Sequence, residues 1–144
     1  MRLPALLILL LGTMVVIGGV VLAAPVALAK TITGTNGPDT LIGTTSADQI
    51  SGLRGGDYIS GMQGDDALSG GPGNDKVLGK GGKDRMAGGL QSDALSGGSA
   101  NDTIRAADGY EDTVDCGPGT NDTAYIDVGL DTSANCENVN PLRP

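Results

Sequence analysis

A chain of 144 residues without Phe or Trp, and with only three Tyr, is limited to one modest domain that has no aromatic-rich core. Its 17 acidic residues outnumber 9 basic ones, and no Lys and Arg cluster offers the phosphate contacts of a nucleic-acid binder, so nucleic acid is excluded as a partner. The absence of His removes H-E-x-x-H metalloproteases and Ser-His-Asp hydrolases, and with only two Cys it disfavours a zinc site. Fifteen of the acids are Asp, a bias toward turns and hard-cation ligands and away from helices, where Glu is the usual acid. The 25 Gly lack the third-position rule of collagen.

Residues 1–29 read as a targeting segment. Arg2 is the only charge before Lys30, Leu3 to Ala23 is almost wholly apolar, and Ala27-Leu28-Ala29 has the small-x-small form of a signal-peptidase site. A cut after Ala23 would place Val21 at the outer small position. An uncleaved membrane anchor is the alternative, because the apolar run approaches the length of a span. In either case the expectation is a secreted or outward-facing protein. Loss of the segment removes Arg2 and takes the formal charge from −8 to −9. The remainder is small, acidic and Gly-rich, a composition typical of disordered chains, so something besides apolar burial must stabilise it.

Thr31-Ile32-Thr33 predicts an entry strand, with Lys30 standing where the following units carry Asp. From Gly34 to Arg105 the sequence then divides without a gap into eight nine-residue units: GTNGPDTLI, GTTSADQIS, GLRGGDYIS, GMQGDDALS, GGPGNDKVL, GKGGKDRMA, GGLQSDALS and GGSANDTIR. The first position is always Gly. The sixth is always Asp: Asp39, Asp48, Asp57, Asp66, Asp75, Asp84, Asp93 and Asp102. The eighth is always aliphatic: Leu41, Ile50, Ile59, Leu68, Val77, Met86, Leu95 and Ile104.

Each column has a physical meaning. The Gly-x-x-Gly-x-Asp half predicts a turn, in which glycines supply φ > 0. The last three residues predict a short strand, whose alternation buries the eighth residue and leaves the seventh and ninth in water. Thr40, Gln49, Lys76 and Arg85 fit a wet seventh position; Ser51, Ser60, Ser69 and Ser96 fit a wet ninth. Stacked turns bring carboxylates into register, where they repel unless a cation lies among them. Calcium suits that role, since it accepts six to eight oxygens at flexible geometry, carbonyls included; magnesium demands tighter octahedral order.

These units resemble the RTX, or hemolysin-type calcium-binding, repeat G-G-x-G-x-D-x-U-x, with U a large aliphatic residue; GGPGNDKVL fits every position. The resemblance implies an all-β fold, a right-handed parallel β-roll with two units per turn and Ca²⁺ between successive turns. It would align Asp39, Asp57, Asp75 and Asp93 on one side, and Asp48, Asp66, Asp84 and Asp102 on the other. Three gaps on each side make about six sites. Departures fall at the fourth position, where Ser46, Gln91 and Ala100 replace Gly; in a left-handed conformation each costs about 1–2 kcal/mol. Lys80, Lys83 and Arg85 crowd the sixth unit with positive charge. The best site is expected between Asp57 and Asp75, where Gly55 and Gly73 are kept, and the Asp66–Asp84 gap ranks next.

After Arg105 the period slips. Asp112-Thr113-Val114 and Asp122-Thr123-Ala124 keep the Asp-x-aliphatic echo at irregular spacing, so 106–144 reads as a C-terminal cap and tail, as is usual at solenoid ends. Cys116 and Cys136, an even pair in a secreted chain, are expected to form a disulfide worth about 3 kcal/mol. The domain reading is therefore 1–29 signal peptide, 30–105 roll and 106–144 cap.

In the RTX family catalysis resides in separate domains, and after signal, roll and cap are assigned none remains. The functional expectation is a monomeric, non-enzymatic protein that folds outside the cell on binding calcium ions. Against the family pattern, its export signal lies at the N-terminus. The alternative is an adhesion or spacer protein that uses the rigid roll on a cell surface. The seventh column (Thr, Gln, Tyr, Ala, Lys, Arg, Ala, Thr) holds no regular ladder for ice or carbohydrate.

Overall fold

Successive units fold alternately into two facing parallel sheets, because each turn carries the chain across to the opposite side. A computed structural model describes residues 28–142 and, for the backbone alone, 14–17 and 20–23. Within the expected signal segment, β1 (Met14–Ile17) and β2 (Val20–Ala23) pair antiparallel; of its expected cleavage site, Ala27 lies outside the described residues.

One sheet has six strands: β4 (Thr40–Ile42), β6 (Tyr58–Gln63), β8 (Lys76–Gly81), β10 (Ala94–Ser99), β12 (Thr113–Asp115) and β14 (Thr132–Ala134). The other has seven: β3 (Thr31–Thr33), β5 (Gln49–Ser51), β7 (Ala67–Pro72), β9 (Arg85–Leu90), β11 (Thr103–Arg105), β13 (Thr123–Asp127) and β15 (Asn138–Leu142). Neighbours are parallel and in register at 18 residues, as in Leu41↔Ile59 and Ile50↔Leu68. This is the parallel β-solenoid expected from two nine-residue units per turn, and the entry strand β3 pairs as its first member.

The aliphatic column forms the core. Ile50, Ile59, Leu68, Val77, Met86, Leu95 and Ile104 are all at most 3% exposed, and Leu41 at the open end is half-buried. Full burial of one such side chain contributes about 1.5–3 kcal/mol, and each unit supplies only one. The core is thin, so the fold depends heavily on its hydrogen-bond ladders and on the fate of its carboxylates.

Two local expectations are corrected. The central strands have six residues, not three, because the chain stays extended from the seventh position of one unit into the third of the next. The ninth position is also less wet than expected between the ends: Ser60 is buried, and Ser51, Ser69 and Ser96 are half-buried, while Ile42 and Arg105 in the end units are exposed. A serine is short enough to be shielded by longer neighbours on its own face; the Ser60 hydroxyl lies 3.6 Å from Met62 Sδ.

Both sheets also run on past Arg105. Leu95 pairs with Val114 and Ile104 with Ala124, at offsets of 19 and 20 residues. Residues 106–115 and 116–125 are thus ten-residue units, each with one extra residue between its turn and its Asp. Cys116 and Cys136 form the expected disulfide, with Cα atoms 5.2 Å apart, and tie the last coils together.

Candidate metal centre

The sixth residue of each unit ends the turn just before the next strand, and there its side chain points inward, not to solvent. Asp57, Asp66, Asp75, Asp84, Asp93 and Asp102 are each at most 4% exposed. Stacking links them into two ladders, in which the backbone N–H of each Asp donates to Oδ1 of the Asp one coil on. On one side Asp39 donates to Asp57 (2.8 Å), Asp57 to Asp75 (2.7 Å) and Asp75 to Asp93 (2.8 Å). On the other, Asp48 donates to Asp66 (2.7 Å), Asp66 to Asp84 (2.9 Å) and Asp84 to Asp102 (2.8 Å).

The second carboxylate oxygen is different. Oδ2 of Asp57, Asp66, Asp75, Asp84, Asp93 and Asp102 is buried and has no hydrogen-bond partner. The invariant first glycine makes this possible, through space and not through φ. A methyl group on Gly52, Gly61, Gly70, Gly79, Gly88 or Gly97 would collide with Oδ2 of its own unit's Asp. The same methyl on Gly52 would stand 2.6 Å from the Gly70 carbonyl oxygen, and on Gly70 it would stand 2.5 Å from that of Gly88. For Asp57, Asp66, Asp75, Asp84 and Asp102 the space beside the orphaned Oδ2 is also bordered by a carbonyl of the next coil, and no donor is supplied to it.

Positive φ belongs to two other columns. The fourth position is left-handed in Gly55, Gly64, Gly73 and Gly82, and so is the second position in Gly71, Gly89 and Gly98. Leu53, Met62 and Lys80 adopt it at the second position with φ of 78–85°, and Gln91 and Ala100 at the fourth with φ of 80° and 83°. These side chains carry the left-handed cost foreseen for Gln91 and Ala100. Ser46 escapes it, because its unit turns differently.

An uncompensated buried carboxylate costs several kcal/mol, and the titration of five of these groups reflects it. Burial, only partly offset by the ladder N–H and reinforced by the neighbouring Asp charges, pushes Asp84 and Asp93 up to about 7 and Asp102 to about 6. Asp66 and Asp75 are raised for the same reasons. No group of three or more Asp, Glu, Cys or His side chains converges among the described residues, so a cation here would draw on carboxylates from adjoining coils together with carbonyls.

Asp39 and Asp48 stand in the same ladders but in a different state. Thr35 donates to Asp39 Oδ2 from its N–H at 2.6 Å and from its hydroxyl at 3.0 Å. The N–H and hydroxyl of Thr44 serve Asp48 in the same way. Burial would raise the Asp48 carboxyl, but the N–H groups of Lys30 and Thr44, the Thr44 hydroxyl and the Lys30 charge together hold it below the ordinary value.

Two carboxylates outside the nine-residue array share the orphaned arrangement. Asp112 and Asp122 continue the ladders, accepting from the N–H groups of Asp93 (2.8 Å) and Asp102 (2.7 Å), and their Oδ2 atoms are buried without a donor. Burial, together with the charges of Asp108, Asp131 and Asp127, pushes Asp112 up to about 7, with the Asp93 N–H opposing. The Asp-Thr-aliphatic echo was the available signal; the one-residue insertions hid it from a search at fixed period.

Comparison with known families gives the same reading. The model of the RTX calcium-binding nonapeptide repeat matches in four overlapping copies, at residues 33–68, 42–77, 60–95 and 78–110. No curated protein matches the chain.

Proposed function

The chain belongs to the RTX calcium-binding nonapeptide repeat family, and on that premise we propose that it is a secreted, non-enzymatic protein whose roll folds around calcium ions held between stacked coils. The carrying observation is the buried column of Oδ2 atoms without donors. Asp57, Asp66, Asp75, Asp84, Asp93 and Asp102 would hold the ions, with carbonyls such as that of Gly70 beside them. Asp39 and Asp48 are the end members of the set, where an ion must compete with Thr35 and Thr44. About six gaps are available, and the one between Asp57 and Asp75 ranks first, since Gly55 and Gly73 take their left-handed conformation without a Cβ.

Bound Ca²⁺ supplies positive charge and up to eight coordination positions. The chain's own part is to present oxygens at fixed spacing: the ladder N–H groups orient each carboxylate through Oδ1, and the first glycines leave room for Oδ2. Without cations the carboxylates repel one another, and the thin core is too small to offset that, which supports an apo chain that is largely disordered. Weak sites of this kind, with Kd of roughly 10⁻⁴–10⁻³ M, match extracellular calcium. The chain would then remain unfolded before export and fold outside as a monomer.

Far-UV circular dichroism of residues 30–144 during a calcium titration, with magnesium as control, tests this reading. The expected result is a coil-to-β transition at submillimolar to millimolar calcium that magnesium does not reproduce. A chain fully folded without calcium and indifferent to it would overturn the mechanism.

A further inference from the structure

The oxygen arrangement of the central gaps recurs where the nine-residue repeat has ended. Between the coils at 97–105 and 116–125, the Asp102 N–H donates to Asp122 Oδ1 at 2.7 Å, while Oδ2 of both residues is buried without a donor. Asp122 is 0% exposed. A methyl group on Gly97 would stand 2.6 Å from the Cys116 carbonyl oxygen and collide with Asp102 Oδ2. One on Gly119 would stand 2.5 Å from the Ala100 carbonyl oxygen and collide with Asp122 Oδ2. Two carboxylates and two carbonyls therefore border this gap; between Asp57 and Asp75 the Gly70 carbonyl takes the place of that of Cys116.

Three differences separate the two gaps: Ala100 stands where the other has Gly55, unit 116–125 carries one extra residue, and half-cystine Cys116 stands in place of a first-position glycine. Cys116 is fully buried and bonded to Cys136 of a later coil. Its N–H donates to the Ala134 carbonyl at 3.0 Å, and its carbonyl accepts from Gly98 at 3.1 Å. The two last strands bury little: every residue of β14 and β15 is exposed. The disulfide is the covalent tie between Cys116, whose carbonyl borders the gap, and the coil stacked upon it.

We infer that Asp102, Asp122 and the Cys116 carbonyl form a further calcium site beyond the nine-residue array, and that the Cys116–Cys136 disulfide sets its affinity. The inference rests on the calcium reading above and extends it to a redox-dependent site at the C-terminal end. A dithiol reductant delivers two electrons and two protons, breaks the S–S bond into two thiols and closes its own disulfide; the 116–136 segment is then free to loosen. Linkage requires the converse, that calcium bound here slows the reduction.

Equilibrium dialysis of calcium against the full chain tests this in three forms: oxidised wild type, dithiol-reduced wild type and oxidised Asp122→Asn. The Asn variant keeps an Oδ1 acceptor for the Asp102 N–H but puts a neutral amide where Oδ2 stood. The reduced protein and the variant are each expected to bind one ion fewer than oxidised wild type, or to bind one ion at least tenfold more weakly. Calcium at ten times Kd is expected to slow reduction of the wild-type disulfide about tenfold, and to protect that of Asp122→Asn less. Equal counts and affinities in all three forms would overturn the site, and a variant deficient while the reduced protein is not would overturn the redox link. If reduction abolishes all binding, the ion count of Asp122→Asn decides the site and its lost protection decides the link. Oxidised wild type that binds no calcium would instead sink the underlying calcium reading.

Discussion

Units 34–51 and units 52–105 carry the same Gly, Asp and aliphatic columns, yet they treat the same carboxylate in opposite ways. In the first two units a Thr at the second position turns its N–H and hydroxyl onto Asp39 or Asp48, and the charge is closed by the chain's own donors. In the later units the second position is Leu, Met, Gly or Lys in a left-handed conformation, and Oδ2 is left bare. A repeat motif therefore specifies where a carboxylate goes, but not whether it needs an ion. That depends on one neighbouring side chain and its φ.

The largest expected effect falls on the fold itself. In chelator, the raised groups Asp84, Asp93 and Asp112 (about 7) and Asp102 (about 6) bind protons more tightly folded than unfolded. Their stabilisation is fully present below the ordinary carboxylate value of about 3.9 and is lost as pH rises through about 6–7. Calcium-free β content by circular dichroism should therefore grow on acidification from neutrality, with protons standing in for calcium. Asp48, lowered, has the opposite sign: its contribution is present above about 3.9 and is lost as pH falls through its depressed value. Calcium-free β content that is flat or falling between pH 7 and pH 4 would break the distinction between the two regions.

Next in size is carboxylate removal. Asp75→Ala affects the gaps on both of its sides and leaves neighbouring carboxylates without their shared ion; by analogy with a broken buried charge pair it should cost about 3–5 kcal/mol in the calcium-loaded protein. Asp39→Ala loses hydrogen bonds to Thr35 and should cost about 1–2 kcal/mol. Urea unfolding in saturating calcium measures both, and equal losses would erase the contrast.

Smaller still is Thr44→Val, which removes a hydroxyl donor from Asp48 and should cost about 1 kcal/mol. Because it also uncovers the carboxylate, the Asp48–Asp66 gap should bind calcium more tightly, which calorimetric titration would detect. Gln91→Gly and Ala100→Gly relieve left-handed side chains and should each stabilise the loaded roll by about 1 kcal/mol, read as a rise in Tm; no change at either position would show that the φ is tolerated without cost.

Much of this was legible in the chain. Column periodicity gives the repeat and its inward residue, and the resemblance to the RTX repeat implies two units per coil; Leu41 meeting Ile59 and Ile50 meeting Leu68 agree with that. The cystine was legible because secreted chains pair their cysteines. Three features were not. The first glycines read as φ > 0 positions but prove to be clearances for a carboxylate, which only the packed coil reveals. Asp112 and Asp122 hid behind one-residue insertions, which a turn absorbs while the strand register is restored by hydrogen bonding. Thr35 and Thr44 look like ordinary turn residues until their donors are traced.

By itself, the sequence determined the aliphatic column and the aspartate column, because those depend on residue type repeated at a constant interval, and its resemblance to the RTX repeat implied the solenoid and the two lines of aspartates. The tertiary structure alone decided that the aspartates point inward, that their Oδ2 atoms are closed at Asp39 and Asp48 but bare from Asp57 to Asp122, and that the ladders continue to Asp131 and Glu137. Those are matters of distance between residues about 18 positions apart in the chain, and stacking one coil on the next is what sets that distance.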